Sequence, residues 1–232
     1  PAARWWLHHA LADLENALGA FGVRLILRQG DTRRHLDQIV GQARADALFW
    51  NQAVEPALRR QELRIWRMLH ARGILARPFN GAFLTQPHTV LTRAGQPFRV
   101  FTPYWNALQA LAPNPGVILQ QQKPFPTPTT ITPSPDPVPS DPLDRLGLLP
   151  RPDWADGLRA AWTPTQAAAH ARLQTFIRHR HADYAAARDI LARHATSELS
   201  PYIHWGQIGP RRLWQAVAQA AGHAAKNHPA QT

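Results

Sequence analysis

ALFWNQAVEPALRRQELRIWRMLHARGILARPF, residues 47–79, decides the fold class. It opens on a short apolar run, Ala47 to Trp50, of strand length. Pro56 follows at a place where a first helical turn tolerates proline. Leu63, Trp66 and Leu69 recur at helical spacing and predict one apolar face, and Gly73 predicts the stop. Ile74 to Phe79 is again extended in character. Strand, helix and strand of these lengths predict a parallel sheet reached by right-handed crossovers, with helices on both faces.

The same alternation extends upstream. Leu7, Leu11, Leu14 and Leu18 mark a helix that Gly19 and Gly22 stop. Val23 to Leu27 (VRLIL) predicts a buried strand, Gly30-Asp31-Thr32 a turn, and Leu36, Ile39 and Val40 a second helix. Downstream, residues 84–100 weaken into turns around Gly95-Gln96-Pro97, and Thr102-Pro103 opens a helix to Leu111. Proline then dominates, as in KPFPTPTTITPSPDPVPSDP, residues 123–142. Proline at this density holds neither a helix nor a central strand, which predicts an extended linker. A PxxP ligand is the other use of such text. Past Trp162 strand signals stop. Helices are expected from Thr163-Pro164 to about His179, from Tyr184 to Arg193, from Ser200-Pro201, and from Pro210 to Ala221. The expected organisation is therefore an α/β domain over 1–112, a linker over 113–163 and an all-α domain over 164–232, with no internal repeat.

Composition narrows the function classes. The chain has 232 residues and no cysteine, which removes disulfide scaffolds, Cys-ligated metal sites and thiol nucleophiles. No apolar run has the length of a membrane span and no signal peptide is visible, so a cytoplasmic location with no membrane partner is expected. Lys plus Arg number 26 against 15 acidic residues, a net charge of +11, and the lysines are Lys123 and Lys226 alone. Guanidinium forks suit phosphate oxygens, and a basic surface favours polyanions such as nucleic acid. A GC-rich coding sequence accounts equally for the preference for Arg over Lys.

The chemistry concentrates in residues 184–212, YAAARDILARHATSELSPYIHWGQIGPRR. Thr196, Ser197 and Ser200 bring hydroxyls to a helix start, where backbone N–H groups are free and the helix dipole is positive. Such a combination suits a phosphate or diphosphate. Ordinary capping by Ser197 or Ser200 explains the same residues. Tyr184 and Arg188, four apart, share a helix face. They could serve a ligand and a phosphate, or be a packed ring beside a solvated cation. His179, Arg180 and His181 read as a metal or phosphate cluster, or as a polar helix end.

These segments together resemble the photolyase/cryptochrome family, closest to the class I cyclobutane pyrimidine dimer photolyases. The likeness runs from RWWLHHALADL (residues 4–14) through ALFWNQAVEP (47–56), RVFTPYWNAL (99–108) and TSELSPYIHWGQI (196–208) to IGPRRLWQAV (208–217). The resemblance implies a Rossmann-like antenna domain, a linker and the start of a helical FAD-binding domain. It implies light-driven repair of pyrimidine dimers in DNA, by electron transfer from excited reduced FAD, in a monomeric carbon–carbon lyase. It implies further that Tyr184, Thr196, Ser197, Glu198, Leu199 and Ser200 hold the phosphate region of FAD, and that Arg188 meets DNA. First strands before Pro1 are implied, as are catalytic residues beyond Thr232, so no catalytic residue is assigned; no metal is implied.

Three sites, four residues in all, depart from the family pattern. Glu198 stands where many relatives carry Arg, so backbone rather than side-chain contact with a diphosphate is expected there. Gly209 stands where Ser is usual. Ala57-Leu58 stand where folate-binding members carry Asn-Glu, which argues against a folate antenna and leaves the type of a second chromophore open. Trp205 and Trp214 are expected to pack rather than relay electrons. The rival readings are a cryptochrome-type photoreceptor and a fragment unable to retain FAD.

Overall fold

A computed structural model describes residues 1–85, 89–111 and 137–227, without the side chains of Leu111 and of residues 222–227. The expected linker up to residue 136 lies outside the described residues, as does the chain after Asn227. The chain forms two compact units. One comprises Pro1–Phe79 with Pro126–Ala169, the other Asn80–Phe125 with His170–Thr232. The sequence-expected boundaries at 112 and 163 do not coincide with this division.

In the first unit, α1 (Ala2–Gly19), α2 (Thr32–Gln42), β1 (Ala47–Asn51), α3 (Pro56–Ala71) and β2 (Leu75–Phe79) follow the predicted alternation. The two strands pair in parallel, Ala47 opposite Leu75 through Asn51 opposite Phe79. Period-2 alternation sends Leu48, Trp50 and Ala76 toward the helices, where they pack on Val40, Ile65 and Leu69. Leu69 is fully buried in that cluster, whereas Leu63 and Trp66 are exposed. The apolar face of α3 is thus Ile65, Met68 and Leu69, a shift of one stripe from the face that spacing predicts. The opposite face of the sheet leaves Phe49, Leu75 and Phe79 exposed. Gly73 sits at φ +70°, and the Ile74 N–H donates to the Leu69 carbonyl at 3.0 Å, closing α3 with a left-handed cap.

The strand expected at Val23 to Leu27 does not form among the described residues. Its polar groups are satisfied elsewhere. The Leu27 N–H donates to Ser140 Oγ at 2.9 Å, and the Asp141 N–H donates to the Leu27 carbonyl at 3.0 Å. Arg24 Nη1 reaches the Val138 carbonyl at 3.1 Å. A side-chain hydroxyl in place of a backbone partner breaks the regular ladder. The described end of the proline-rich stretch is therefore tied down, and continues into a 3-10 turn (Leu143–Leu146) and α5 (Asp156–Ala161). On α1, Trp5 and Trp6 are buried, and Trp6 meets Trp162 edge-on at 5.5 Å.

Asp31 caps α2, its Oδ1 accepting from the Arg34 N–H at 2.7 Å. Replacing Asp31 with Ala is expected to cost about 1 kcal/mol, read as a lower urea midpoint with unchanged slope.

In the second unit, α4 (Phe101–Leu111) and α9 (Pro210–Asn227) are the long helices besides the end of α6 (Gln166–His179), with short α7 (Tyr184–Ala187) and α8 (Ser200–His204) between them. Val90 and Leu108 are buried against Leu84, Phe98, Tyr104, Trp105 and Trp214. Trp214 thus packs, 6.1 Å from Trp105. No strand is described in residues 164–227.

The helix expected from Tyr184 to Arg193 is a single turn. Ile190 is exposed and Leu191 wholly so, which leaves no apolar face to pack. A short helix without packing does not persist in water. The chain instead continues in tight turns, with the Ile190 N–H on the Ala187 carbonyl at 3.1 Å and the Arg193 N–H on the Ile190 carbonyl at 3.0 Å.

Candidate functional site

The segment Thr196–Ser200 is an irregular bend between two short helices, fixed by what is buried beneath it. Ala195 and Leu199 are buried and anchor it to the unit's core; Thr196 and Ser200 are exposed, and Ser197 is half-buried. Glu198 takes a positive φ of 55°, while Leu199 sits in the right-handed region at φ −93°, ψ −7°. Left- and right-handed residues in succession turn consecutive N–H groups to one side, a concavity that suits an anion.

The donors there are uncommitted. Among the described residues, the N–H groups of Ser197, Glu198, Leu199 and Ser200 have no acceptor, and the hydroxyls of Thr196, Ser197 and Ser200 make no hydrogen bond. The capping role that Ser197 or Ser200 could have served is therefore not used: Leu199 occupies the cap of α8 without a side-chain bond. The five-residue α8 adds little dipole, so hydroxyls and amides carry the anion preference.

A left-handed conformation in a residue with a Cβ costs on the order of 1–3 kcal/mol, and an ion-pair network at Glu198 offsets it. Arg172 on α6 donates to Glu198 Oε2, and Arg180 Nη1 lies 3.6 Å from the same oxygen. His194 Nδ1 is 3.8 Å from Oε1 and adds to the network when protonated. Arg180 also donates to the Thr196 carbonyl at 3.0 Å. The carboxylate is thus engaged with α6, in keeping with the expectation that Glu198 offers an anion its backbone. Two guanidiniums against one carboxylate leave the bend's flank net positive.

Tyr184 is linked to this bend through α6. Its ring meets Phe176 edge-on at 5.5 Å, and Arg180, just past the end of the helix, holds Thr196. Arg188 lies with its guanidinium carbon 5.9 Å from the Tyr184 ring centroid. Its side chain is 54% exposed, with a long 3.6 Å contact to Asp189, so it faces solvent with its charge largely available. Spacing therefore brings Tyr184 and Arg188 together as expected. Sequence reading missed Arg172, and read Arg180 as part of a metal or phosphate cluster or of a polar helix end, not as a partner of Glu198. The signal lay in Glu198 itself, since an acid in an anion-binding bend requires a counter-charge, although spacing does not say which of the neighbouring cations supplies it.

At Gly209 an added Cβ would meet nothing closer than the Gly81 carbonyl oxygen at 3.9 Å, so packing does not require glycine there. Among the described residues no helix is long and apolar enough to cross a membrane.

Comparison with known proteins bears on the whole chain. A deoxyribodipyrimidine photo-lyase of Agrobacterium fabrum is 34% identical over 227 residues, covering 97% of this chain and 46% of the relative. Cryptochrome-1 of Arabidopsis thaliana is 28% identical over 219 residues, 93% of this chain and 31% of that protein. Among solved structures, a class III photolyase from Agrobacterium tumefaciens superposes with a TM-score of 0.82 at 33% identity, over 99% of this chain and 45% of that one. The sequence motifs pointed to class I; the subclass of this solved relative is class III. A Synechocystis cryptochrome shares the fold at a TM-score of 0.71 and 20% identity. The chain spans about half the length of the photo-lyases it matches. Residues 1–129 match the DNA photolyase family, more than half of the 232 residues, and the chain belongs to that family.

Proposed function

We propose that this chain serves a light-driven DNA repair protein, and that its bend at Thr196–Ser200 grips the diphosphate of FAD. The observation that carries this reading is the set of uncommitted donors there: three hydroxyls and four backbone N–H groups without partners, beside a net positive flank. That donor set fits a diphosphate, which accepts many hydrogen bonds and carries negative charge. When bound in its reduced form, FAD supplies an electron for pyrimidine dimer splitting after absorbing blue light. The residues of this chain hold and orient. Thr196, Ser197 and Ser200 donate to phosphate oxygens, Glu198 and Leu199 contribute amides, and Tyr184 borders the phosphate region. Arg188, solvent-facing, takes a DNA phosphate. The reading keeps 1–112 as the antenna domain, 113–163 as the linker and 164–232 as the start of the FAD-binding domain. It assigns the antenna no chromophore type and the protein a monomeric, cytoplasmic existence.

The expected outcome is a fall in dimer content when the full-length protein and ultraviolet-damaged duplex are lit with blue light, with no fall in darkness. A yellow protein that is photoreduced but leaves the dimers intact would assign it instead to the photoreceptors, the reading favoured by its cryptochrome relatives. A colourless chain of 232 residues would assign retention of FAD to the longer protein alone.

A further inference from the structure

Far along the chain from the Thr196–Ser200 bend, α2 and α3 border a groove lined by arginine. Two open depressions of about 570 and 490 Å³ lie side by side, with Arg33 and Arg64 lining both. Arg60 lines the first, and Arg67 and Arg72 the second. On α3, Arg60, Arg64 and Arg67 stand at i, i+4 and i+7, one stripe about 10 Å long at 1.5 Å per residue. Arg33, near the start of α2, supplies the facing cation.

These charges are not balanced locally. Arg72 is paired with Asp37. Among the described residues, Arg33, Arg60, Arg64 and Arg67 lie within ion-pair distance of no carboxylate, and all four are exposed. The one acid lining the groove is Asp31, which caps α2 through the Arg34 N–H. Like charges three and four apart on a helix repel one another. A chain of phosphates laid along the stripe removes that repulsion and offers each fork a planar partner.

We propose that this groove, on helices distant in sequence from the Thr196–Ser200 bend, is a track for the phosphate backbone of duplex nucleic acid. Its lining favours a backbone over a free nucleotide. Besides the cations and Asp31 it holds Ala57, Gln61, Met68 and Ala71, with no aromatic ring or apolar cleft to enclose a base. Phosphate contacts of this kind position a duplex without reading its sequence.

The test is binding of the full-length protein to an undamaged fluorescent duplex in darkness, over a series of salt concentrations. Each phosphate contact removed lowers the slope of log affinity against log salt by about 0.9. Arg60→Gln/Arg64→Gln is expected to lower it by about 2 and to weaken binding about tenfold at low salt. Arg60→Lys/Arg64→Lys, which keeps the charge, is expected to restore the slope. An unchanged slope and affinity in the Gln variant overturn the proposal. So does tripolyphosphate that binds the groove more tightly than the duplex does, because the groove is then a small-anion site. The positions are exposed and without ion pairs, so the variants are expected to fold, and a thermal melt of each checks it; if the double variant melts early, Arg33→Gln is read instead, with a slope change of about 1. Undamaged DNA in darkness needs neither flavin nor dimer, so failure of the repair reading leaves this measurement standing.

Discussion

With Thr196, Ser197 and Ser200 replaced together by alanine, the full-length protein is expected to bind FAD about a hundredfold more weakly and to lose its yellow colour on dilution. Hydrogen bonds to a charged group contribute about 1.5–3 kcal/mol each. Loss of one to two such bonds in net terms gives about 3 kcal/mol, or roughly two decades in Kd. Binding is not abolished, because the amides of Glu198 and Leu199 remain. The variant separates a ligand-holding role from a structural one. The three hydroxyls make no hydrogen bond among the described residues, so their removal leaves no orphaned partner inside the protein. The melting midpoint of the cofactor-free protein is therefore expected to stay within about 0.5 kcal/mol equivalent, the range of surface changes. Unchanged flavin affinity refutes the bend's assignment. A large drop in stability without ligand shows that the hydroxyls serve the fold.

How much of this was legible in the sequence depends on which force shaped each segment. Periodicity found α2, β1, α3 and β2 because each has an apolar set that the others bury; it found α1 too, though there the buried residues are Trp5 and Trp6 rather than the leucine stripe. It misplaced the buried face of α3, since the stripe through Leu63 and Trp66 is as regular as the one through Ile65 and Leu69. Only the position of the sheet selects between them. Val23 to Leu27 carries strand-like residues, but a strand is a relation between two segments, and its partners here are the Ser140 side chain and the Asp141 backbone, more than a hundred residues away. The extended helix at Tyr184 failed for the opposite reason: its alanines favour helix locally, yet Leu191 finds nothing to pack against. At the candidate site, hydroxyl spacing located the bend, and the resemblance supplied the ligand class. What no spacing rule reveals is the left-handed backbone at Glu198 or its pairing with Arg172, 26 residues earlier.

That pairing yields a second large effect. Glu198→Arg is expected to destabilise this protein by about 2 kcal/mol, within the range of coupled ionic neighbours. Arg172 on α6 and Arg180 just past its end now converge on one carboxylate, with side chains only 26% and 25% exposed. A third guanidinium at 198 replaces two attractions with two repulsions in a half-buried setting, where screening by solvent is incomplete. The left-handed φ of residue 198 would also lose the interactions that hold it. Urea denaturation measures the cost. Arg172→Glu combined with Glu198→Arg recreates one close pair and is expected to recover more than half of it, the sign of direct coupling. Without that recovery, the cost of the single change belongs to backbone strain alone. Flavin affinity discriminates in the other direction. If the 198 side chain pointed at the diphosphate, Glu198→Arg would tighten binding by replacing an acid with a base. The geometry, with the carboxylate turned to α6, predicts weaker binding instead, because a bend released from Arg172 and Arg180 no longer holds its amides on one side. On the proposed reading, the acid is an internal counter-charge, and Arg172 and Arg180 shape the bend without touching the anion it would hold.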